Sequence, residues 1–349
     1  MKLLASRIPL KEKMFFVEHL AVMLKAAIAL DRALSSLQEQ TANKALKKVI
    51  GALKDTVTSG QPLSAGLRQY QKIFGDLFIN MVAAGEISGK LEESLQRLYV
   101  QLKKDYDLKS KVKGALAYPA FVILTMLSIG TTVMIYVIPK LIPLFESFGT
   151  TLPLSTRILV GISKFIISYG AWLAIALVIS GVIFVRLVQK RFRRHWHVFL
   201  LAIPLVNTLL KKINIARFAR TLSTLLSTDL LVVDALNITS RTLGNILYRE
   251  SVLKSAEGIK RGIPIASAIK EYPKLFPATV YTMVSVGEES GNLAQLLEEV
   301  AAFYEESVDE ITKNLSTLIE PILIVLLGIA VGGMAIAILT PMYALMQQI

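Results

Sequence analysis

The chain has 349 residues, 53% of them hydrophobic, with a mean hydropathy of +0.54, which is too apolar for an ordinary soluble protein and points to membrane-spanning segments. Its formal charge of +13 comes from 39 Lys and Arg against 26 Asp and Glu; in so apolar a chain this reads as the basic bias of cytoplasmic loops, and no nucleic-acid partner is expected. Cysteine is absent and only His19, His195 and His197 are histidines, which excludes disulfides and a Cys nucleophile and leaves no expectation of a metal or cofactor.

The N-terminus does not read as a signal peptide. Lys25 interrupts the apolar stretch from Leu20, and Glu12 and Glu18 stand where a positive region belongs, so this end is expected in the cytoplasm. Phe15, Phe16, His19, Leu20, Met23 and Leu24 recur at helical spacing, as do Ala45, Leu46, Val49, Ile50 and Leu53. Breaks fall at Ser59-Gly60-Gln61-Pro62, at Gly75 and at Gly85–Gly89. These predict about six short helices packed as an antiparallel bundle over residues 1–114.

The stretch GEISGK at 85–90 is not a phosphate-binding loop. Three residues separate its glycines where four are needed, Leu91 stands in place of Ser or Thr, and no strand precedes it. A turn accounts for it better. Gly85 is expected to end one helix in a left-handed conformation, with Gly89 completing the turn, and Ser88 is expected to cap the next helix. Glu92 and Glu93 then sit in that helix's first turn, at the positive end of its dipole. Glu86 lies at the unfavourable end for an anion. It is either incidental to the turn or contacts a basic partner or an internal arginine.

Three runs can cross a bilayer, which needs about 20 apolar residues. They are Ala115–Ile138, Phe165–Val185, and a run from Pro321 to about residue 346 that carries no charge. Lys103, Lys104, Lys109, Lys111 and Lys113 precede the first; Arg186, Lys190, Arg191, Arg193 and Arg194 follow the second. Residues 1–114 and 186–320 are therefore expected in the cytoplasm, and 139–164 and the C-terminus outside. The outer segment, with Leu141, Ile142, Leu144 and Phe145, is expected partly in the interface. The run RLVQKRFRRHWH at 186–197 reads as an anchor to anionic lipid.

The two cytoplasmic segments are copies. One ungapped offset of 202 residues pairs Phe16 with Phe218, Leu20 with Leu222, Gly60 with Gly262, Pro62 with Pro264, Phe74 with Phe276 and Pro119 with Pro321. It also pairs Gly85, Glu86, Ser88 and Gly89 with Gly287, Glu288, Ser290 and Gly291, so the turn and its partner-seeking glutamate recur. A tandem duplication follows. The expected fold is an all-α membrane protein with two cytoplasmic six-helix bundles and three transmembrane helices.

The duplicated G-E-x-S-G-x-L motif, ARFARTLSTLL at 216–226, LIEP at 318–321 and PLFESFGTTLPLSTRIL at 143–159 resemble the inner-membrane platform proteins of type II secretion and type IV pilus machines. The resemblance runs from about residue 10 to the end. Many members carry a further segment ahead of the first repeat, whereas Phe16 here already lies in the first helix. The resemblance implies a non-enzymatic, multi-pass protein of the inner (plasma) membrane. It implies that a cytoplasmic hexameric ATPase acts on the cytoplasmic domains, and that the motion passes to pilin or pseudopilin subunits entering a filament. Other inner-membrane assembly subunits and lipid are the remaining partners implied.

Beside that resemblance, Pro119 and Pro321 are hinge candidates, since proline removes a helix hydrogen bond. Glu320, at the mouth of the third span, is an interaction candidate at the membrane entry. Gly328, Gly332 and Gly333 offer a smooth face for another helix, including one of a second copy in a homo-oligomer. The competing reading is a small membrane transporter subunit with duplicated cytoplasmic domains. Transporters usually repeat their spans and place polar groups at the midplane, and these spans have uncharged centres.

Overall fold

A computed structural model describes residues 8–147, 154–190, 192–228 and 230–346. Every regular element among them is a helix. The chain divides into two compact units: one holds residues up to Ser110 together with Arg194–Asp309, the other Lys111–Arg193 together with the chain from Glu310.

The first unit contains both copies. Copy one runs α1 (Leu10–Lys25), α2 (Leu30–Gln40), α3 (Lys44–Thr58), α4 (Leu63–Arg68), α5 (Gln71–Phe74), α6 (Asp76–Ser88) and the start of α7 (Leu91–Thr132). One hydrophobic core passes through both copies. The duplicated aromatic pair anchors each half: Phe16 and Phe74 lie 6.2 Å apart between ring centroids, and Phe218 and Phe276 lie 5.1 Å apart. Tyr248 joins the second pair, fully buried, and its hydroxyl donates to the Leu275 carbonyl at 2.6 Å. Burial and the nearby Tyr304 push that phenol far above its ordinary pKa.

The second unit contains the rest of α7, a π-helical segment over Val133–Val137, α8 (Ile138–Ser147) and α9 (Leu154–Lys190). After α10 (Arg193–Leu200), copy two follows in the first unit as α11 (Pro204–Leu226), α12 (Val232–Thr242), α13 (Ile246–Ile259), α14 (Ile265–Lys270), α15 (Ala278–Ser290) and the start of α16 (Leu293–Met346), whose remainder belongs to the second unit. Residues matching α5 form turns in copy two. Gly75, the left-handed residue ahead of α6, is replaced there by Pro277.

Among the described residues two helices are long and apolar enough to cross a membrane, within Leu91–Lys140 and Leu293–Thr340. Few of their apolar side chains are covered, as suits contact with lipid. The expected second span lies inside α9. Of the expected outer segment, α8 and the start of α9 are helical, and 148–153 lie outside the described residues. So do the side chains of Leu141, Leu144, Phe145, Arg186, Lys190 and Arg191. Within this unit the Thr156 hydroxyl donates to the Ala337 carbonyl at 2.6 Å, and Ile138, Leu159, Val160 and Ala337 form a small buried cluster.

Candidate functional site

The duplicated glutamates lie two residues before the ends of α6 and α15, and their partners are backbone amides. Pro62 and Pro264 precede the short helices α4 and α14. Proline has no side-chain oxygen, so neither helix has a local side-chain cap. The missing acceptor arrives from the later helix. Glu86 accepts from the Leu63 N–H through one carboxylate oxygen and from the Ser64 N–H at 3.1 Å through the other. Glu288 does the same for Ile265 at 2.8 Å and Ala266 at 3.2 Å. Each carboxylate therefore satisfies two otherwise unpaired amides at the positive end of a helix.

Within the chain the carboxylates meet backbone amides, not the arginine that is one of the expected alternatives. The glutamate's position on its own helix is unfavourable, and the neighbouring helix N-terminus compensates.

The rest of the motif also departs from expectation. Gly85 and Gly287 do not end their helices; both are interior and buried. A Cβ on Gly85 would come within 2.6 Å of Ser94 Cβ and 3.0 Å of Leu91 Cα; one on Gly287 would come within 2.9 Å of Leu293 Cα. These glycines let the following long helix pack directly on their own. The residues that end the helices are Gly89 and Gly291, at φ +71° and +74°. Ser88 and Ser290 are consequently the last helical residues and cap nothing downstream. The Ser88 hydroxyl donates back to the Ala84 carbonyl at 2.9 Å.

A polar seam joins the copies. On α7, Arg97 donates to the Ser227 carbonyl at 3.1 Å, and buried Gln101 pairs with Thr221 and Thr224 of α11 at 3.2 Å each. Asp105 meets Arg217 at 2.9 Å. Asp76 of α6 meets Arg241 of α12 at 2.7 Å, and the hydrogen bonds from Arg241 and Gln71 hold its carboxyl below the ordinary value. Buried Arg220 forms a two-pronged pair with Glu305 at 2.9 and 3.1 Å and reaches Glu298 at 3.1 Å. Lys104 of copy one joins the same Glu305 at 2.9 Å.

The role of Arg220 is not evident from the stretch ARFARTLSTLL that contains it. The signal was a charge reversal between copies: Glu18 and Lys103 occupy the positions of Arg220 and Glu305. Part of the expected lipid anchor turns inward, as Arg194 meets Glu250 at 3.6 Å and His197 accepts from the Ile246 N–H at 2.9 Å.

In the second unit Pro119 and Pro321 lie within α7 and α16, Pro119 buried and Pro321 exposed. Glu320 is exposed. Among the described residues nothing beyond the helix's own backbone lies within 4 Å of a Cβ added at Gly328, Gly332 or Gly333, so that face is open.

Among the described residues no group of three His, Cys, Asp or Glu could hold a metal. A family model for type II secretion system protein F matches residues 16–139 and again residues 218–341. This chain belongs to that family. The two matched segments start and end at the offset that relates the copies, so one family unit comprises one copy and the apolar helix that follows. The protein F family member is 34% identical over 338 residues to the type IV pilus assembly protein PilC of Myxococcus xanthus, covering 96% of this chain and 80% of the relative. It is 33% identical to PilC of Pseudomonas aeruginosa, covering 95% and 88%. It is 32% identical to the type II secretion system protein F of the same organism, covering 94% and 81%.

Proposed function

We propose that this chain is the inner-membrane platform of a type II secretion or type IV pilus machine. The observation that carries it is the twofold match of the family model, each half taking in one copy and its apolar helix. The relatives carry names from both machines, and the proposal concerns what those share, a membrane-embedded assembly component. In this reading the chain performs no reaction.

The finer reading has two six-helix bundles and three spans, with α9 as the second, the N-terminus inside and the C-terminus outside. It rests on the basic flanks. Because cysteine is absent, Leu154→Cys and Lys260→Cys test it; an impermeant thiol reagent should label only the first.

A hexameric ATPase acts on the unit formed by the two copies, and the response reaches pilin-like subunits and neighbouring assembly subunits. This is supported by α7 and α16, each of which continues without interruption from a copy into an apolar segment. Pro119 and Pro321 interrupt the hydrogen bonding of those helices where the apolar stretch begins and set the angle there. Alanine at both should leave insertion intact and lower filament or secretion output; undiminished output removes that role. Glu320 contributes at the membrane entry, and the Gly328 face packs a neighbouring helix in a homo-oligomer.

The test of the whole reading is photo-crosslinking in membranes from Ile87, 89% exposed and next to Glu86, and separately from exposed Val286, two residues before Glu288. Capture of a secretion-type ATPase or an assembly subunit is expected. Capture of lipid alone, with secretion and piliation unaffected by deleting the gene, would overturn it.

A further inference from the structure

The duplication gives a template for contact between molecules. Inside the chain, α11 of copy two seats on α7 of copy one through Arg97, Gln101 and the threonines described above. Shifted by 202 residues, the receiving surface recurs on α16 and the seated surface recurs on α1. Among the described residues nothing fills the recurring receiver. Its residues Thr279, Met283, Glu299, Val300, Phe303 and Tyr304 line an open groove.

The side chains at the matched positions are inverted in polarity. Gln101 is 5% exposed, and its counterpart Phe303 is 61% exposed. Thr224, which donates to Gln101, has Val22 as its counterpart, 60% exposed. Thr221 has His19, whose ring lies tilted against Phe15 with centroids 3.9 Å apart. The covered pair is thus polar and the uncovered pair apolar, the opposite of what burial alone selects. The rim also changes in a matched way. Arg97 and Ser227 inside the chain correspond to Glu299 and Lys25, opposite charges on two exposed residues. The equivalence stops at Ser307, the counterpart of Asp105, which is already buried within the chain.

We infer that α1 of one molecule docks on the α15–α16 groove of another, with Val22 and His19 against Phe303 and Lys25 beside Glu299. This contact repeats head to tail the one the two copies make within each chain. Such an interface is heterologous, so it closes into a ring or extends as a row. It rests on the self-association proposed above and assigns it a surface outside the spans.

The chain has no native cysteine, which makes the test direct. Full-length Val22→Cys and Phe303→Cys chains, with different tags, are produced together and oxidised in membranes. The mixed disulfide is expected to dominate over both symmetric ones. Lys25→Glu or Glu299→Lys alone should lower its yield about fivefold at low salt, the scale of one exposed ion pair turned repulsive. The two reversals together should restore it. Circular dichroism checks that each variant keeps its helix content.

Dominant symmetric disulfides would overturn the proposal in favour of a twofold contact. A multimeric mass in detergent without the mixed disulfide would overturn this surface and leave self-association standing. A monomeric mass for the native chain would overturn both, and the platform reading would still be decided by the crosslinks from Ile87.

Discussion

Replacing Glu288 by alanine separates a structural from a partner-binding role for the duplicated glutamate. The substitution strips α14 of both acceptors at its N-terminus, leaving the Ile265 and Ala266 amides unpaired. A hydrogen bond to a charged group contributes about 1.5–3 kcal/mol, and losing a helix cap costs about 0.5–2 kcal/mol. Glu288 is half-buried, so water recovers part of the loss. A destabilisation of about 2 kcal/mol is expected, or about 4–8 °C in melting temperature for a unit of this size. Glu288→Gln keeps one good acceptor and should lose about half as much.

Because the deficit arises at Pro264, a second change should repair it. Pro264→Asp supplies a local side-chain oxygen to the Ala266 amide, and in the Glu288→Ala background it should return about 1 kcal/mol. The assay is thermal unfolding of the detergent-solubilised full chain, with hydrogen exchange of the Ile265–Lys270 helix as the local readout. A Glu288→Ala chain that leaves both unchanged while abolishing secretion or piliation would refute the capping role. That pattern would make the carboxylate a partner contact whose internal hydrogen bonds are incidental.

The two glycines of each turn should fail for different reasons. Gly287→Ala forces a Cβ to within 2.9 Å of Leu293 Cα and should cost about 1–3 kcal/mol, with larger residues worse. Gly291→Ala meets open space but an unfavourable φ, costing about 1–2 kcal/mol, and Asn should recover part of that at 291 and none at 287; identical rankings at both positions in thermal melts would refute the distinction. Asp76 supplies a pH dependence. Its folded pKa is depressed by Arg241 and Gln71, below an unfolded value of about 3.9. Its contribution is therefore fully present above that value and lost as pH falls through the folded one. Between about pH 5 and 2 the native chain should lose more stability than Asp76→Asn, and parallel acid titrations of the two would contradict the assignment.

The helical class, the duplication and the apolar runs were legible because each is a periodicity, and periodicity survives without knowledge of the third dimension. Glu86 and Glu288 were not, because their function depends on Pro62 and Pro264 some twenty residues earlier, and only the folded chain brings those helix ends beside the carboxylates. Gly85 misled for a similar reason. Glycine at a helix end and glycine under a crossing helix look alike in sequence; the φ of Gly89 and the closeness of Leu91 tell them apart.

The copies differ in polarity and charge at several matched surface positions. Interior positions such as Phe16 and Phe218 or Phe74 and Phe276 are unchanged, whereas Glu18 faces Arg220, Lys103 faces Glu305, Gln101 faces Phe303 and Arg97 faces Glu299 across the alignment. A duplicated domain that packs head to tail on its own copy starts with one surface used twice, once inside the chain and once at its open end. Those two uses have different demands. The internal contact is held by covalent connection and can be polar, as Gln101 with Thr221 and Thr224 shows. An external contact lacks that connection and must overcome the lost translational and rotational freedom of association, which favours a large apolar side chain such as Phe303 at its centre. Divergence in polarity at these matched surface positions, with the core rings at Phe16 and Phe218 and at Phe74 and Phe276 retained, is the pattern that those unequal demands produce.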